Sequence, residues 1–299
     1  MSVTELSGVT ARRRYGVPLL RLLPWFFGFL ALYGVSQLPV VVGIGNPDLA
    51  WLLWLAPVSA ALVAGVYVLA VQRIEKRPAT ELAPGPAVRE LGLGVAVGAL
   101  AFSAAVGLLV AAGLYDVRAG AAITATGGAL ALAVVSGVGE EVLFRGILMR
   151  RLVEPLGTYG ALAVSSLFFG AAHLLNEDAT LWSALAIAVE AGLMLGLAFV
   201  ATGRLWLPIG LHLAWNYVQS GIFGIAVSGN TLGSGVLRSA PEPGRDALTG
   251  GGFGVEASPA ALVVCLVVSA VLWVVVRRRG LVVAPAWRRP QTVSSTLPT

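Results

Sequence analysis

The chain has 299 residues, of which 57% are hydrophobic and 12% charged, with 20 lysines and arginines against 15 aspartates and glutamates. Soluble domains carry about a quarter charged residues, so these proportions, with a mean hydropathy of +0.85, exclude a water-soluble class and describe an integral membrane protein. The 37 glycines do not signal disorder, because Gly is frequent in transmembrane helices and the apolar content is too high for an unfolded chain.

A helix needs roughly 20 apolar residues to cross the hydrocarbon core, and eight stretches qualify in chain order: 22–42, 50–71, 91–114, 121–149, 158–175, 181–201, 205–228 and 260–276. They predict an all-α, polytopic membrane helix bundle of about eight transmembrane helices. With the amino terminus inside, Arg12, Arg13, Arg14, Arg21, Arg73, Lys76, Arg77, Arg89, Arg145, Arg150, Arg151, Arg204, Arg277, Arg278, Arg279, Arg288 and Arg289 fall on the inner side. Only Arg118, Arg238 and Arg245 remain outside, a bias that follows the positive-inside rule and makes both termini cytoplasmic. The same clustering explains the pI near 9.9 as membrane topology, so the expected partners include the lipid bilayer and not nucleic acid. The expected localisation is the cell membrane, as a multi-pass protein.

Three regions are expected: a three-span amino-terminal part (1–120), a core (121–259) ending in a long external loop (229–259), and a last span followed by a disordered basic cytoplasmic tail (260–299). The Arg12–Arg14 cluster ahead of a long span reads as a retained signal anchor, since no Ala-x-Ala site follows it. The 229–259 loop, rich in Gly, Ser and Pro, is either a flexible external segment or a structured cap over a cavity. The single Cys265 forms no intramolecular disulfide and supplies no zinc or redox spacing.

Ionisable side chains within spans cost about 2.5–3.5 kcal/mol each on insertion scales, so each requires a partner or a function. They are Glu140, Glu141 and Arg145 on the fourth stretch, His173 on the fifth, Glu190 on the sixth and His212 on the seventh, with Asn216 as an uncharged companion. Glu141 and Arg145, Phe169 and His173, and His212 and Asn216 are each four apart, so each pair shares a helix face. Glu140 is turned about 100° from Glu141, which pairs Glu141 with Arg145 and points Glu140 toward a cavity. Phe169 reads as packing against His173 or its neighbour helix, and Glu190 either pairs with a histidine, holds a water or is a structural acid held neutral by burial.

One carboxylate, two imidazoles and an amide suit the activation of water toward a carbonyl: Glu takes the proton while His and Asn donors hold the oxyanion. The competing arrangement makes Glu140, His173 and His212 ligands of zinc or another divalent metal with an open position for water. No His-Glu-x-x-His spacing is present, so such a metal has to bridge separate helices. A two-aspartate mechanism fails because Asp48, Asp116, Asp178 and Asp246 fall between the spans. A serine mechanism lacks a Gly-x-Ser-Gly turn beside Ser136, Ser165 and Ser166.

Three segments now stand out in order: Glu140-Glu141-Val142-Leu143-Phe144-Arg145, Phe169-Gly170-Ala171-Ala172-His173 and His212-Leu213-Ala214-Trp215-Asn216. They resemble the motifs of the CPBP family, the CAAX-protease and bacteriocin-processing intramembrane peptidases that include the Rce1-like enzymes. The stretch from Gly192 to Asn216 is also similar to that family, and Gly250–Gly254 with Glu256 and Ser258 is similar to a segment of its bacterial members. The resemblance runs from about Ser136 to Ser258. It implies that Glu140 and His173 activate water, that His212 and Asn216 stabilise the oxyanion, and that Glu141 and Arg145 support them. The family is described both as glutamate-dependent and as metal-dependent, so the cofactor stays open. The function implied is an intramembrane endopeptidase acting on a membrane-associated protein or peptide. The alternatives are a non-proteolytic peptide-binding immunity or regulatory protein on the same scaffold, and a transporter relaying protons through Glu190 and Glu140. Straight helices would leave His212 about 10 Å and His173 about 22 Å from the cytoplasmic ends of their spans. A re-entrant 151–159 connection is therefore expected to bring them level.

Overall fold

The computed structural model describes residues 22–121, 123–232 and 235–289. An apolar stretch opens it as α1 (Leu22–Gly45). After Asn46, whose side chain accepts the Asp48 N–H, the tight 3₁₀ segment Pro47–Leu55 leads into α2 (Ala56–Ala70) and a π-helical end, Val71–Glu75. Helix α3 (Ala87–Ala111) is followed by β1 (Tyr115–Ala119). Helix α4 (Gly127–Glu140) passes through a π-helical segment, Glu141–Met149, into α5 (Arg150–Ala172). Then come α6 (Leu181–Ile187), the π-helical Ala188–Leu193, α7 (Met194–Thr202), and α8 (Trp206–Tyr217) with its π-helical end Val218–Ile222. After β2 (Leu237–Pro241) the last helix, α9 (Pro259–Arg278), starts with Ser258 accepting the Ala261 N–H and proline in its first turn, the usual amino-terminal arrangement.

Among the described residues, six helical stretches are long and apolar enough to cross a membrane: Leu23–Gly45, Pro47–Glu75, Ala87–Ala111, Gly127–Leu175, Leu181–Thr202 and Pro259–Arg278. The expected spans 121–149 and 158–175 are parts of one continuous run. Gly157 interrupts it with φ 69° and ψ −179°, a conformation that glycine adopts without strain. Phe144 and Phe169, 25 residues apart, have ring centroids separated by 4.9 Å, where a straight helix would put them about 37 Å apart. The chain therefore reverses at Gly157 and the run is a helical hairpin. The expected 205–228 span is helical only over Trp206–Ile222, about 25 Å long, and most of it is buried against protein. A second departure from the all-α expectation is the small antiparallel pair β1–β2, with Val117 opposite Ser239 and Arg118 opposite Arg238.

Close backbone approach at glycine fixes the helix spacing. A Cβ on Gly94 or Gly98 of α3 would overlap backbone atoms of Leu207 or Leu211 in α8, and one on Gly210 would overlap the Leu91 carbonyl oxygen. Gly170 of α5 lies in the same way against the Ala184 carbonyl of α6. Between membrane helices, where lipid supplies no hydrophobic drive, such small-residue contacts allow tight packing.

Basic residues gather around buried carboxylates at one end of the bundle. Glu75 pairs with Arg77, Arg150 and Arg151, Glu81 with Arg77, and Glu90 with Arg204. The segment expected to be a disordered tail is docked as far as Arg289. Val283 exchanges hydrogen bonds with Thr158 (2.9 Å each), and Arg289 donates to the Glu154 carbonyl at 2.9 Å. The reversal at Gly157 leaves backbone groups outside the helical ladder, and this segment satisfies them. Arg12, Arg13, Arg14, Arg21 and residues 290–299 lie outside the described residues.

Gly98→Val should force α3 from α8 and lower the thermal midpoint of the purified protein, as expected for overpacking by about 1–3 kcal/mol. Gly92→Ala, on an open face of α3, should leave it unchanged or raise it. Equal midpoints for wild type and Gly98→Val would contradict the glycine seam.

Candidate active site

The hairpin brings the first two motifs level, since Glu140 precedes Gly157 by 17 residues and His173 follows it by 16. Helix α8 starts at a different height. The Leu205 N–H donates to the Glu81 carbonyl, and Glu81 stands beside Arg150. Helix α8 thus begins near Arg150 rather than at the hairpin turn, and His212 rises to meet Glu141. The residues 151–159, expected to be re-entrant, stay helical apart from Gly157.

Glu141 and Arg145 are 0% and 1% exposed and form an ion pair at 2.8 Å. Arg145 also donates to the carbonyls of Ala191 (2.8 Å) and Gly192 (3.1 Å), and its guanidinium carbon lies 4.5 Å from the Phe169 ring centroid. The same Glu141 oxygen accepts from His212 Nδ1 at 2.9 Å. A carboxylate only accepts, so Nδ1 carries a proton and Nε2 is the nitrogen left for other partners.

Glu140 points the other way, into a cavity of about 470 Å³ that Phe169, His173, Glu190, His212 and Asn216 also line. One Glu140 oxygen accepts from the Tyr33 hydroxyl at 2.9 Å. The other has no hydrogen-bond partner and lies 3.9 Å from His212 Nε2. His173 Nδ1 is 2.7 Å from the Phe169 carbonyl oxygen, which fixes its proton on Nδ1 and leaves the Nε2 lone pair available. The Phe169 ring stands between the imidazoles, with its centroid 4.8 Å from that of His173 and 6.2 Å from that of His212. Asn216 gives one amide hydrogen to Ser136 Oγ at 3.1 Å and keeps a second. Four residues from three segments therefore share one cavity, with Glu141 and Arg145 behind them. Glu190 lies in its wall, 2% exposed, with neither carboxyl oxygen hydrogen-bonded.

Sequence reasoning missed two contributors. Tyr33 comes from α1, and the sequence carried a signal for it: Tyr33, Gln37, Val41 and Ile44 recur at helical spacing and all line the cavity. Glu256 comes from the 229–259 segment, whose described residues cap the cavity: Asn230, Thr231, Leu232 and Glu256 all line it. Its carboxylate accepts from Ser228 N–H (2.6 Å) and Oγ (3.1 Å). Only its place in the Gly-rich segment hinted at this role.

A metal held by Glu140, His173 and His212 requires donors that converge on one point. Among the described residues no group of three or more His, Cys, Asp or Glu side chains is arranged to hold one. Glu140 keeps one oxygen and each histidine keeps Nε2, so the donor chemistry suits a divalent metal while the donors are not gathered on one point.

No curated protein and no solved structure matches the chain. Residues 122–218, about a third of its length, match the family model described as type II CAAX prenyl endopeptidase Rce1-like. The matched region contains Glu140, His173, Glu190, His212 and Asn216, whereas Tyr33 and Glu256 lie beyond its ends. Over residues 122–218 the chain is therefore similar to the type II CAAX prenyl endopeptidase Rce1-like family.

Proposed function

We propose that the protein is an intramembrane endopeptidase that hydrolyses a peptide bond of a membrane-associated protein or peptide with water activated by Glu140. The observation that carries this reading is the unpartnered Glu140 oxygen facing the shared cavity, 3.9 Å from His212 Nε2. A carboxylate in that setting is a proton acceptor without a competing donor. The His173 Nε2 lone pair provides a second acceptor and orients the water. Glu140 takes one proton as the water oxygen bonds to the carbonyl carbon. The oxygen of the tetrahedral intermediate then receives hydrogen bonds from the free amide hydrogen of Asn216 and from Nε2–H of His212, which acts as an imidazolium protonated on both nitrogens and flanked by Glu141 and Glu140. The carbon–nitrogen bond breaks as Glu140 returns its proton to the departing amine. Tyr33 and Glu141 act as positioning residues, the first on Glu140 and the second on His212.

This scheme gives Glu140, His173, His212 and Asn216 distinct tasks, and the Rce1-like match supports the peptide-hydrolysing class. The substrate reaches the site from the membrane, and cleavage is proposed near the cytoplasmic leaflet, in keeping with the positive-inside reading of the chain.

With purified protein in lipid nanodiscs and a peptide library read by mass spectrometry, Glu140→Gln should reduce hydrolysis by about 10²–10⁴-fold with an unchanged thermal midpoint. Wild-type turnover in a folded Glu140→Gln protein would contradict the mechanism and favour the non-proteolytic alternative. Asn216→Ala should lower kcat by about 10²–10³-fold with little change in KM. Tyr33→Phe should lower kcat about 10- to 100-fold, the equivalent of the ~1.5–3 kcal/mol of a hydrogen bond to a charged group.

A further inference from the structure

The mechanism leaves two buried carboxyl groups of the cavity without a task. Glu190 projects from the π-helical segment Ala188–Leu193, is 2% exposed, and has no hydrogen-bond partner on either oxygen. Glu256 projects from the short 3₁₀ turn Val255–Ala257 of the capping loop and is 4% exposed. Both line the cavity that Glu140 faces, and they lie within electrostatic reach of each other.

The lining is rich in carboxylates, with His173 and His212 as its titratable bases. Among the described residues it contains Glu140, Glu177, Glu190 and Glu256 and no lysine or arginine. The nearest buried guanidinium, Arg145, spends its donors on Glu141 and on the carbonyls of Ala191 and Gly192. Glu190 is unsatisfied in either protonation state: ionised, it is a buried charge without a counterion, and protonated, its O–H has no acceptor. Glu256 is aimed by Ser228, whose backbone N–H and hydroxyl both bind one carboxylate oxygen. Burial pushes the Glu256 carboxyl up, against the pull of the Ser228 N–H. A ligand with several N–H donors and a positive charge would satisfy Glu190 and relieve the repulsion between the two carboxylates together.

We propose that Glu190 and Glu256 form a subsite for a positively charged side chain, a lysine ammonium or an arginine guanidinium, of the peptide substrate. The proposal rests on the endopeptidase reading above and adds a substrate class to it. Selection arises because a neutral side chain of the same length leaves Glu190 buried and unpaired and Glu256 without a counter-charge.

The test uses the full chain in nanodiscs and a positional-scanning set of peptides, acetylated at the amino terminus and amidated at the carboxyl terminus so that no terminal charge competes. Each position carries Lys, Arg, Gln or norleucine. Binding is measured on the Glu140→Gln protein and cleavage on the wild type. At one position Lys and Arg peptides should bind and react about tenfold or more better than the norleucine peptide. Glu190→Gln and Glu256→Gln should each shrink that ratio and together abolish it, with the norleucine peptide handled as before. Should Glu190→Gln fail to fold, Glu256→Gln alone must reduce the ratio. Absence of any Lys or Arg preference, or a preference that survives both substitutions, overturns the subsite. A preference in binding with no hydrolysis by the wild type would keep the subsite and remove the endopeptidase reading. Hydrolysis dependent on Glu140 without the preference would do the reverse.

Discussion

The geometry of the cavity depends on one buried ion pair, Glu141 with Arg145. Arg145 reaches from the π-helical continuation of α4 to the carbonyls of Ala191 and Gly192 after α6 and to the ring face of Phe169 on α5, while Glu141 receives His212 from α8. Four helical segments meet at this pair. Removing two charges from water offsets most of their attraction, so such a pair contributes little net stability. Its contribution here is positional: it fixes the proton of His212 on Nδ1 and turns Nε2 toward Glu140. Phe169, held under the guanidinium, in turn separates the two imidazoles.

Two backbone devices make that meeting possible. Glycine at Gly94, Gly98 and Gly210 lets α3 and α8 approach until their backbones touch, which sets where His212 and Asn216 stand. The π-helical segments supply the second device. Val71–Glu75, Glu141–Met149, Ala188–Leu193 and Val218–Ile222 carry the buried Glu75, Glu141 with Arg145, Glu190 and Gln219. A π turn shifts the facing of the residues that follow and is common at functional sites. In this chain its recurrence beside buried polar groups follows the same logic. Residues outside the Rce1-like region complete the chamber, with Tyr33 from α1 binding Glu140 and the capping loop closing over it through Glu256.

Much of this was legible from letters alone, because charge inside an apolar span is rare and spacing of four defines a helix face. That logic separated Glu140 from Glu141 and grouped His173, His212 and Asn216. It reached its limit where a contact depends on tertiary geometry. The reversal at Gly157 inside a continuous helical pattern requires a positive φ that the sequence does not announce, and the β1–β2 pair joins segments about 120 residues apart. The docking of Val283 and Arg289 on the hairpin turn is hidden by a basic, Pro-containing composition that reads as a disordered end. Tyr33 escaped notice because a single hydroxyl in an apolar helix is inexpensive, although its stripe with Gln37, Val41 and Ile44 marked the face.

In the proposed mechanism the buried pair orients His212 rather than supporting the fold. The test of this role is the turnover of a folded double variant, Glu141→Met with Arg145→Met, which replaces the pair by apolar side chains of similar length and leaves no orphan charge. The expected result is a thermal midpoint near that of the wild type and turnover lower by about 10²-fold or more, because His212 loses the carboxylate that holds Nδ1–H, aims Nε2 and balances its charge. Wild-type turnover by that folded double variant would contradict this role.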